Sequence, residues 1–247
     1  MVDPSILQNM VDYASLNQND VVLDIGAGLG FLTRFLANKC KKVLAVEFDA
    51  RLVKGLREQV KDLPKVKIIE GDMFKVHIPQ FNKVVSIPPY HISSPLLLWL
   101  FRQKIDCAVL ILQKEFANRL IAPVTSEDYG WLAVVAYYYV EVELLDVVPK
   151  WMFYPQPKVD SVVTRLKPKK PHPFILKSEV MFKQLTQSLF THRNRKVRNA
   201  VLPFIKGVFA TRAESAIKMV EAFSFRDKRV RELAPEDFGA LSNAAVE

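Results

Sequence analysis

Cysteine is scarce in this 247-residue chain: only Cys40 and Cys107 are present, each in or beside an apolar segment. That excludes a disulfide scaffold and a cysteine-built metal site, predicts two buried thiols, and leaves no metal to be expected. Long apolar runs are missing as well, since the longest, Trp131 to Val140, is half of a bilayer span. The amino end, Met1 to Met10, lacks the basic stretch and long apolar stretch of a secretory leader. A soluble, cytoplasmic protein, monomeric and without membrane contact, is expected. Half of the residues are hydrophobic, enough for one large domain or one domain plus a smaller one. The net charge of +9 is uneven: residues 1–157 carry 17 basic and 17 acidic side chains, whereas residues 158–247 carry 18 and 9. A neutral body joined to a basic appendage suits a polyanion, and without a long basic amphipathic helix bearing aromatic anchors, nucleic acid is favoured over an anionic membrane.

The chain is organised around Val21-Val-Leu-Asp-Ile-Gly-Ala-Gly-Leu-Gly30, an apolar run that breaks into three glycines and resumes as the helical Phe31 to Ala37. Strand, tight turn and helix are predicted, a combination that lets a ligand approach the main chain. The next strand, Lys42 to Glu47, ends in an acid about 20 residues after the glycines, the spacing at which a carboxylate meets ribose hydroxyls. A third strand, Val66 to Glu70, runs into Gly71-Asp72-Met73 and sets a second carboxylate at the same sheet edge. An amino-terminal helix with Asp3 as cap and Pro4 at its first turn is predicted from Ile6, Leu7, Met10, Val11 and Ala14, and a helix over Asp49 to Val60 from Leu52, Leu56 and Val60. This alternation predicts a parallel, doubly wound α/β sheet. Asp-x-Gly-x-Gly-x-Gly, a later acid and Gly-Asp together resemble the S-adenosylmethionine fold of class I methyltransferases. A dinucleotide dehydrogenase is the alternative for this half.

The fourth strand, Lys83 to Ile87, ends in Pro88-Pro89-Tyr90. A proline pair followed by an aromatic resembles the motif of methyltransferases that modify exocyclic amines. An adenine amine is a poor nucleophile because its lone pair is delocalised, so its site needs acceptors for the amine hydrogens and an aromatic face under the base. His91 is a lone histidine in a turn, more often structural than chemical, and receives no role.

Further segments narrow the likeness. Leu112-Gln113-Lys-Glu115-Phe-Ala117-Asn-Arg119, Phe153-Tyr-Pro155-Gln-Pro157-Lys158-Val-Asp-Ser161 and the basic Phe190-Thr-His-Arg-Asn-Arg-Lys-Val-Arg198 resemble the ribosomal RNA adenine dimethyltransferases of the KsgA type over nearly the whole chain. The resemblance implies a Rossmann-like methyltransferase domain at 1–168 and a basic helical domain at 169–247 for rRNA contact. It implies S-adenosylmethionine as cofactor and, as substrate, two adjacent adenines near the 3′ end of small-subunit rRNA in an immature subunit. By position it sets Asp24, Gly26, Ala27 and Gly28 at the amino-acid end of the cofactor, Glu47 and Phe48 at its ribose, Asp72 at its adenine amine and Met73 beside that ring. Tyr90 and Phe153 would sandwich the target adenine, with Pro89, Ile87 and Ser86 about its amine and Ser86 also counted with the cofactor residues. Arg193, Arg195, Lys196 and Arg198, on one or two turns of a predicted helix, would meet RNA.

Two departures matter. Ile87 stands where the family has Asn, so a side-chain acceptor is missing there and Ser86 becomes its expected substitute, beside main-chain carbonyls. A Gln-x-Phe-Leu segment ahead of the first helix has no counterpart before Asp3. The alternatives are a non-catalytic small-subunit assembly factor and a large-subunit enzyme of the erythromycin-resistance type.

Overall fold

The computed structural model describes residues 3–208, 218, 220, 221, 223 and 225–246. Two compact units divide the chain, one comprising Met1–Ala117 and Glu141–Pro168, the other Asn118–Val140 and Lys169–Glu247. The sequence-based division at 168 differs from this in one respect: 118–140 belongs with the second unit. Its helix, Trp131–Tyr139, buries seven of its nine residues and finds aromatic partners there, Tyr138 lying 5.5 Å from Phe182. That partnership is long-range and leaves no local mark in the sequence.

The first unit is built on a seven-stranded sheet of order β3-β2-β1-β4-β5-β7-β6. Its strands are β1 (Val21–Ile25), β2 (Lys42–Glu47), β3 (Val66–Glu70), β4 (Lys83–Ser86), β5 (Cys107–Gln113), β6 (Val140–Val148) and β7 (Ser161–Pro168). The first five pair in parallel, while β7 runs antiparallel to β5. The parallel expectation holds for β1 to β5, whose strands alternate with helices, while β7 makes the sheet as a whole mixed. Six consecutive buried residues in β5, Cys107 to Leu112, show why such strands read as unbroken apolar runs: both faces are covered.

On one face, helix α1 (Pro4–Tyr13) inserts Ile6, Leu7, Met10 and Val11 among Leu32 and Leu36 of α2 (Phe31–Ala37) and the strand residues Val22, Val43, Val85, Val109 and Val163. Asp3 caps α1 by accepting Ser5 N at 2.9 Å. In helix α3 (Ala50–Gln59) the buried stripe uses Val53 and Leu56 rather than the expected Leu52. Both cysteines are free and buried, as expected. Chain order reverses between β1 and β4, so the ends of those strands open a crevice where α/β sheets hold ligands.

In the second unit the described regular structure is helical. The helix Glu179–Phe190 starts on a Ser178 cap that accepts Met181 N at 3.2 Å, and Phe190 stacks on Phe238 of the helix Pro235–Ala244 at 5.3 Å. Among the described residues no helix is long and apolar enough to cross a membrane.

Candidate active site

The glycine turn is shaped by two contrasting needs. Gly26 has φ +71°, and a Cβ there would come within 2.8 Å of Pro89 Cδ, so the Pro88-Pro89-Tyr90 loop packs directly on the turn. Gly28, at φ +58°, has only the Gly26 carbonyl at 4.0 Å where its Cβ would be. A side chain at 28 would therefore fill open space in the crevice, the cradle that close main-chain approach by a ligand requires.

Two adjoining cavities meet at Gly26 and Pro89. The first, about 520 Å³, is lined by Asp24, Gly26, Ala27, Gly28, Ile87, Pro89, Tyr90 and Phe153 among the residues expected from sequence. The second, about 330 Å³, is lined by Glu47, Phe48, Asp72 and Met73. Sequence reasoning missed Leu7, Phe31 and Tyr154 in the first and Phe74 in the second, and gave no role to His91, which lines the second. Tyr154 and Phe74 adjoin motif residues, which is the signal that could have found them.

Glu47 closes β2 and turns its carboxylate back onto the glycine turn. Its Oε2 accepts Gly28 N at 2.8 Å, and its Oε1 accepts Phe48 N at 2.8 Å and Asp49 N at 2.9 Å. Three main-chain donors thus hold the side chain in place, and Oε2, with one acceptor site used, belongs to a residue that lines the second cavity. Asp72 Oδ1 accepts Phe74 N at 3.0 Å, which caps the turn after β3 and leaves Oδ2 near Lys75 Nζ at 3.7 Å. Asp24 is 1% exposed, and its Oδ2 accepts the Thr33 hydroxyl at 2.7 Å. Burial pushes its carboxyl up to about 7; the Thr33 bond opposes this and the charge of Glu47 adds to it.

Ser86 requires a correction. It lines neither cavity. Fully buried, its hydroxyl donates to Ile25 O at 2.6 Å and accepts Ile25 N at 3.1 Å, so it stitches β4 to the end of β1 and is not the expected acceptor for a target amine. Tyr90 is half-buried, and its hydroxyl shares a 2.6 Å hydrogen bond with Ser161 Oγ. Phe153 follows a short helical turn, Lys150–Met152, and packs partly against the sheet core.

The model of the family described as ribosomal RNA adenine dimethylase matches residues 1–232. The chain belongs to that family. A probable ribosomal RNA small subunit methyltransferase A of Methanosarcina acetivorans is 37% identical over 243 residues, covering 98% of this chain and 90% of that relative. Among solved structures, a dimethyladenosine transferase from Plasmodium falciparum superposes with a TM-score of 0.85 at 27% identity, over 98% of this chain and 95% of its own. The 23S rRNA methyltransferase ErmE gives a TM-score of 0.69 at 25% identity, over 99% and 98%. The fold of this adenine dimethylase family member is the Rossmann-like methyltransferase sheet with a helical companion unit.

The basic run of this dimethylase differs from the single helix expected. Residues 191–194 form turns, Arg195 a bend, Lys196 makes an isolated antiparallel bridge with Arg229, and a four-residue helix, Val197–Ala200, follows. Arg193 reaches inward, donating to Glu127 O at 2.8 Å and Ser126 O at 3.1 Å, so it braces a loop of its own unit. Arg195, Lys196 and Arg198 are exposed. The bridge adds Arg226, Lys228 and Arg229 to them, with Asp227 as the local acid: Lys196 Nζ lies 3.4 Å, Arg198 3.1 Å and Arg226 3.6 Å from its carboxylate. Sequence reasoning missed the 226–229 strip because about thirty residues separate it from the first.

Proposed function

We propose that this family member uses S-adenosylmethionine to methylate the exocyclic amine of adenine in small-subunit rRNA, twice on each of two adjacent adenines, acting on an immature subunit in the cytoplasm as a monomer. The observation that carries the reading is the junction of the two cavities at Gly26 and Pro89. It joins a crevice suited to an adenosine-bearing cofactor, through the glycine turn, to a pocket walled by Tyr90 and Phe153. The small-subunit assignment draws on the printed name of the archaeal relative and on the higher structural similarity to the dimethyladenosine transferase than to the 23S rRNA enzyme.

The residues present fit the cofactor: an open cradle at Gly28, a fixed carboxylate at Glu47 for vicinal hydroxyls, and Asp72 beside the apolar Met73 for an adenine ring. When bound, S-adenosylmethionine supplies an activated methyl group on a sulfonium. What remains for the protein is chiefly placement of the acceptor amine. Tyr90 and Phe153 hold the flipped base between their rings, and the carbonyls of Ile87 and Pro88 accept its amine hydrogens. Main-chain carbonyls survive side-chain replacement, so Ile87 in place of Asn leaves acceptors at the site. Arg195, Lys196, Arg198 and the 226–229 strip contact phosphates.

Incubation of undermethylated small subunits with the protein and methyl-labelled cofactor, followed by mass spectrometry of the rRNA, tests the proposal. Dimethylated adenine is expected in small-subunit rRNA and none in large-subunit rRNA. Tight binding of the small subunit without methyl transfer would instead establish the assembly-factor alternative.

A further inference from the structure

Asp160 and Ser161 end the segment that began with Phe153, and neither lines either of the two cavities described above. Their hydrogen bonds nonetheless lead to both aromatic walls. Asp160 Oδ1 accepts Lys150 N at 2.9 Å, fixing the first residue of the turn Lys150–Met152, and Phe153 N in turn donates to Lys150 O at 3.2 Å. Ser161, fully buried, holds the Tyr90 hydroxyl at 2.6 Å. Both residues are anchored to the sheet: the Asp160 carbonyl accepts Lys114 N at 3.1 Å, and Ser161 pairs with Gln113 across β5 and β7.

A tyrosine ring turns about two torsions, so a bond at its far tip fixes a direction that packing at its root leaves free. Phenylalanine would present the same stacking face. What the hydroxyl of Tyr90 adds is the hold on Ser161, a buried residue that lines neither of the two cavities. We propose that Asp160 and Ser161 form a positioning pair, two neighbours on one strand end that set the spacing and tilt of Tyr90 and Phe153 for the incoming adenine. The inference rests on the reading that these two rings sandwich the target base.

The test uses small-subunit RNA carrying 2-aminopurine at a methylated position identified by the mass spectrometry described above, because its fluorescence is quenched on stacking. Ser161→Ala and Tyr90→Phe remove one bond from opposite ends. Each is expected to weaken the quench and to lower kcat/KM by about three- to tenfold, and the double variant to be no worse than the poorer single one. Calorimetric affinity for S-adenosylmethionine is expected to stay within about twofold, the size of change an unperturbed pocket allows. Asp160→Ala should act likewise, and Asp160→Asn, which keeps an acceptor for Lys150 N, should restore activity. If wild type quenches and Ser161→Ala quenches equally, or if the two single losses multiply in the double variant, the positioning pair is refuted while the sandwich stands. Absence of quenching in the wild type would refute the sandwich and the pair together. Should Ser161→Ala fail to fold, Tyr90→Phe deletes the same bond from the half-buried side, and wild-type quench and kcat/KM in that variant refute the pair.

Discussion

Asp24 offers a perturbation whose sign is unusual for a carboxylate. Its folded-state value of about 7 lies above the ordinary 3.8, so between about pH 4 and pH 7 the native chain keeps a proton that the unfolded chain has lost. Stability from this group is therefore full below about pH 4, falls as pH rises by about 1.4 kcal/mol per unit, and levels off above about pH 7, for a total near 4 kcal/mol. At 1% exposure, solvent screening leaves that figure nearly whole. Asp24→Asn removes the titration, keeps the side-chain volume and still offers an oxygen to the Thr33 hydroxyl. Urea unfolding of both proteins from pH 5 to pH 8 should show the variant gaining on wild type by about 2.5 kcal/mol across that range, most of it below pH 7. Other titrating groups are common to the two proteins and cancel in the difference, apart from Glu47, whose charge is coupled to Asp24. Parallel curves across the range would refute the buried-proton argument. A cationic ligand entering the cavity that Asp24 lines should draw the proton off, so binding of S-adenosylmethionine near pH 7 should release protons, measurable by calorimetry in buffers of different ionisation enthalpy.

Glu47→Ala and Asp72→Ala should each weaken S-adenosylmethionine about ten- to a hundredfold, the loss of a charge-assisted hydrogen bond, as read by calorimetry. Ser86→Ala strips partners from both Ile25 main-chain groups and should lower unfolding free energy by about 1–3 kcal/mol, measured in urea. Tyr90→Ala should nearly abolish turnover by removing a stacking face worth about 1–3 kcal/mol together with the alignment it enforces, and unchanged methylation in that variant would count against the base pocket. Charge reversal at Lys196, Arg198 and Arg226 should reduce the slope of log affinity for RNA against log salt by about 2, whereas Arg193→Ala should leave the slope alone and lower stability.

The parts of the site legible in the sequence are those where chemistry follows from neighbours along the chain. A glycine turn after an apolar strand, an acid ending the next strand and a Gly-Asp ending the third are all local patterns, and the parallel sheet brings their ends together without further information. Ser86 was misread because its role depends on β1, 61 residues earlier, whose Ile25 main chain it bridges. Local sequence shows only a hydroxyl one residue from a motif. The basic run was misread for the same kind of reason. Arg193 turns inward to carbonyls at 126 and 127, and Lys196 extends toward Arg229, so helical spacing alone could not assign their directions. Trp131 to Tyr139 is apolar all round, and such a helix announces burial without saying in which unit.

The polypeptide enters the second unit at Asn118, leaves it after Val140 and enters it again at Lys169. Ending translation at 168 would keep the helix Trp131–Tyr139 and delete the helices Glu179–Phe190 and Pro235–Ala244 from its own unit, stranding an apolar surface that favours aggregation. The two units are thus not consecutive along the chain. A single genetic crossover cannot exchange the second unit for another, because the incoming sequence must supply both the inner excursion and the tail. Replacing it is accordingly a two-graft problem, and the inner graft falls, along the chain, between β5 and β6.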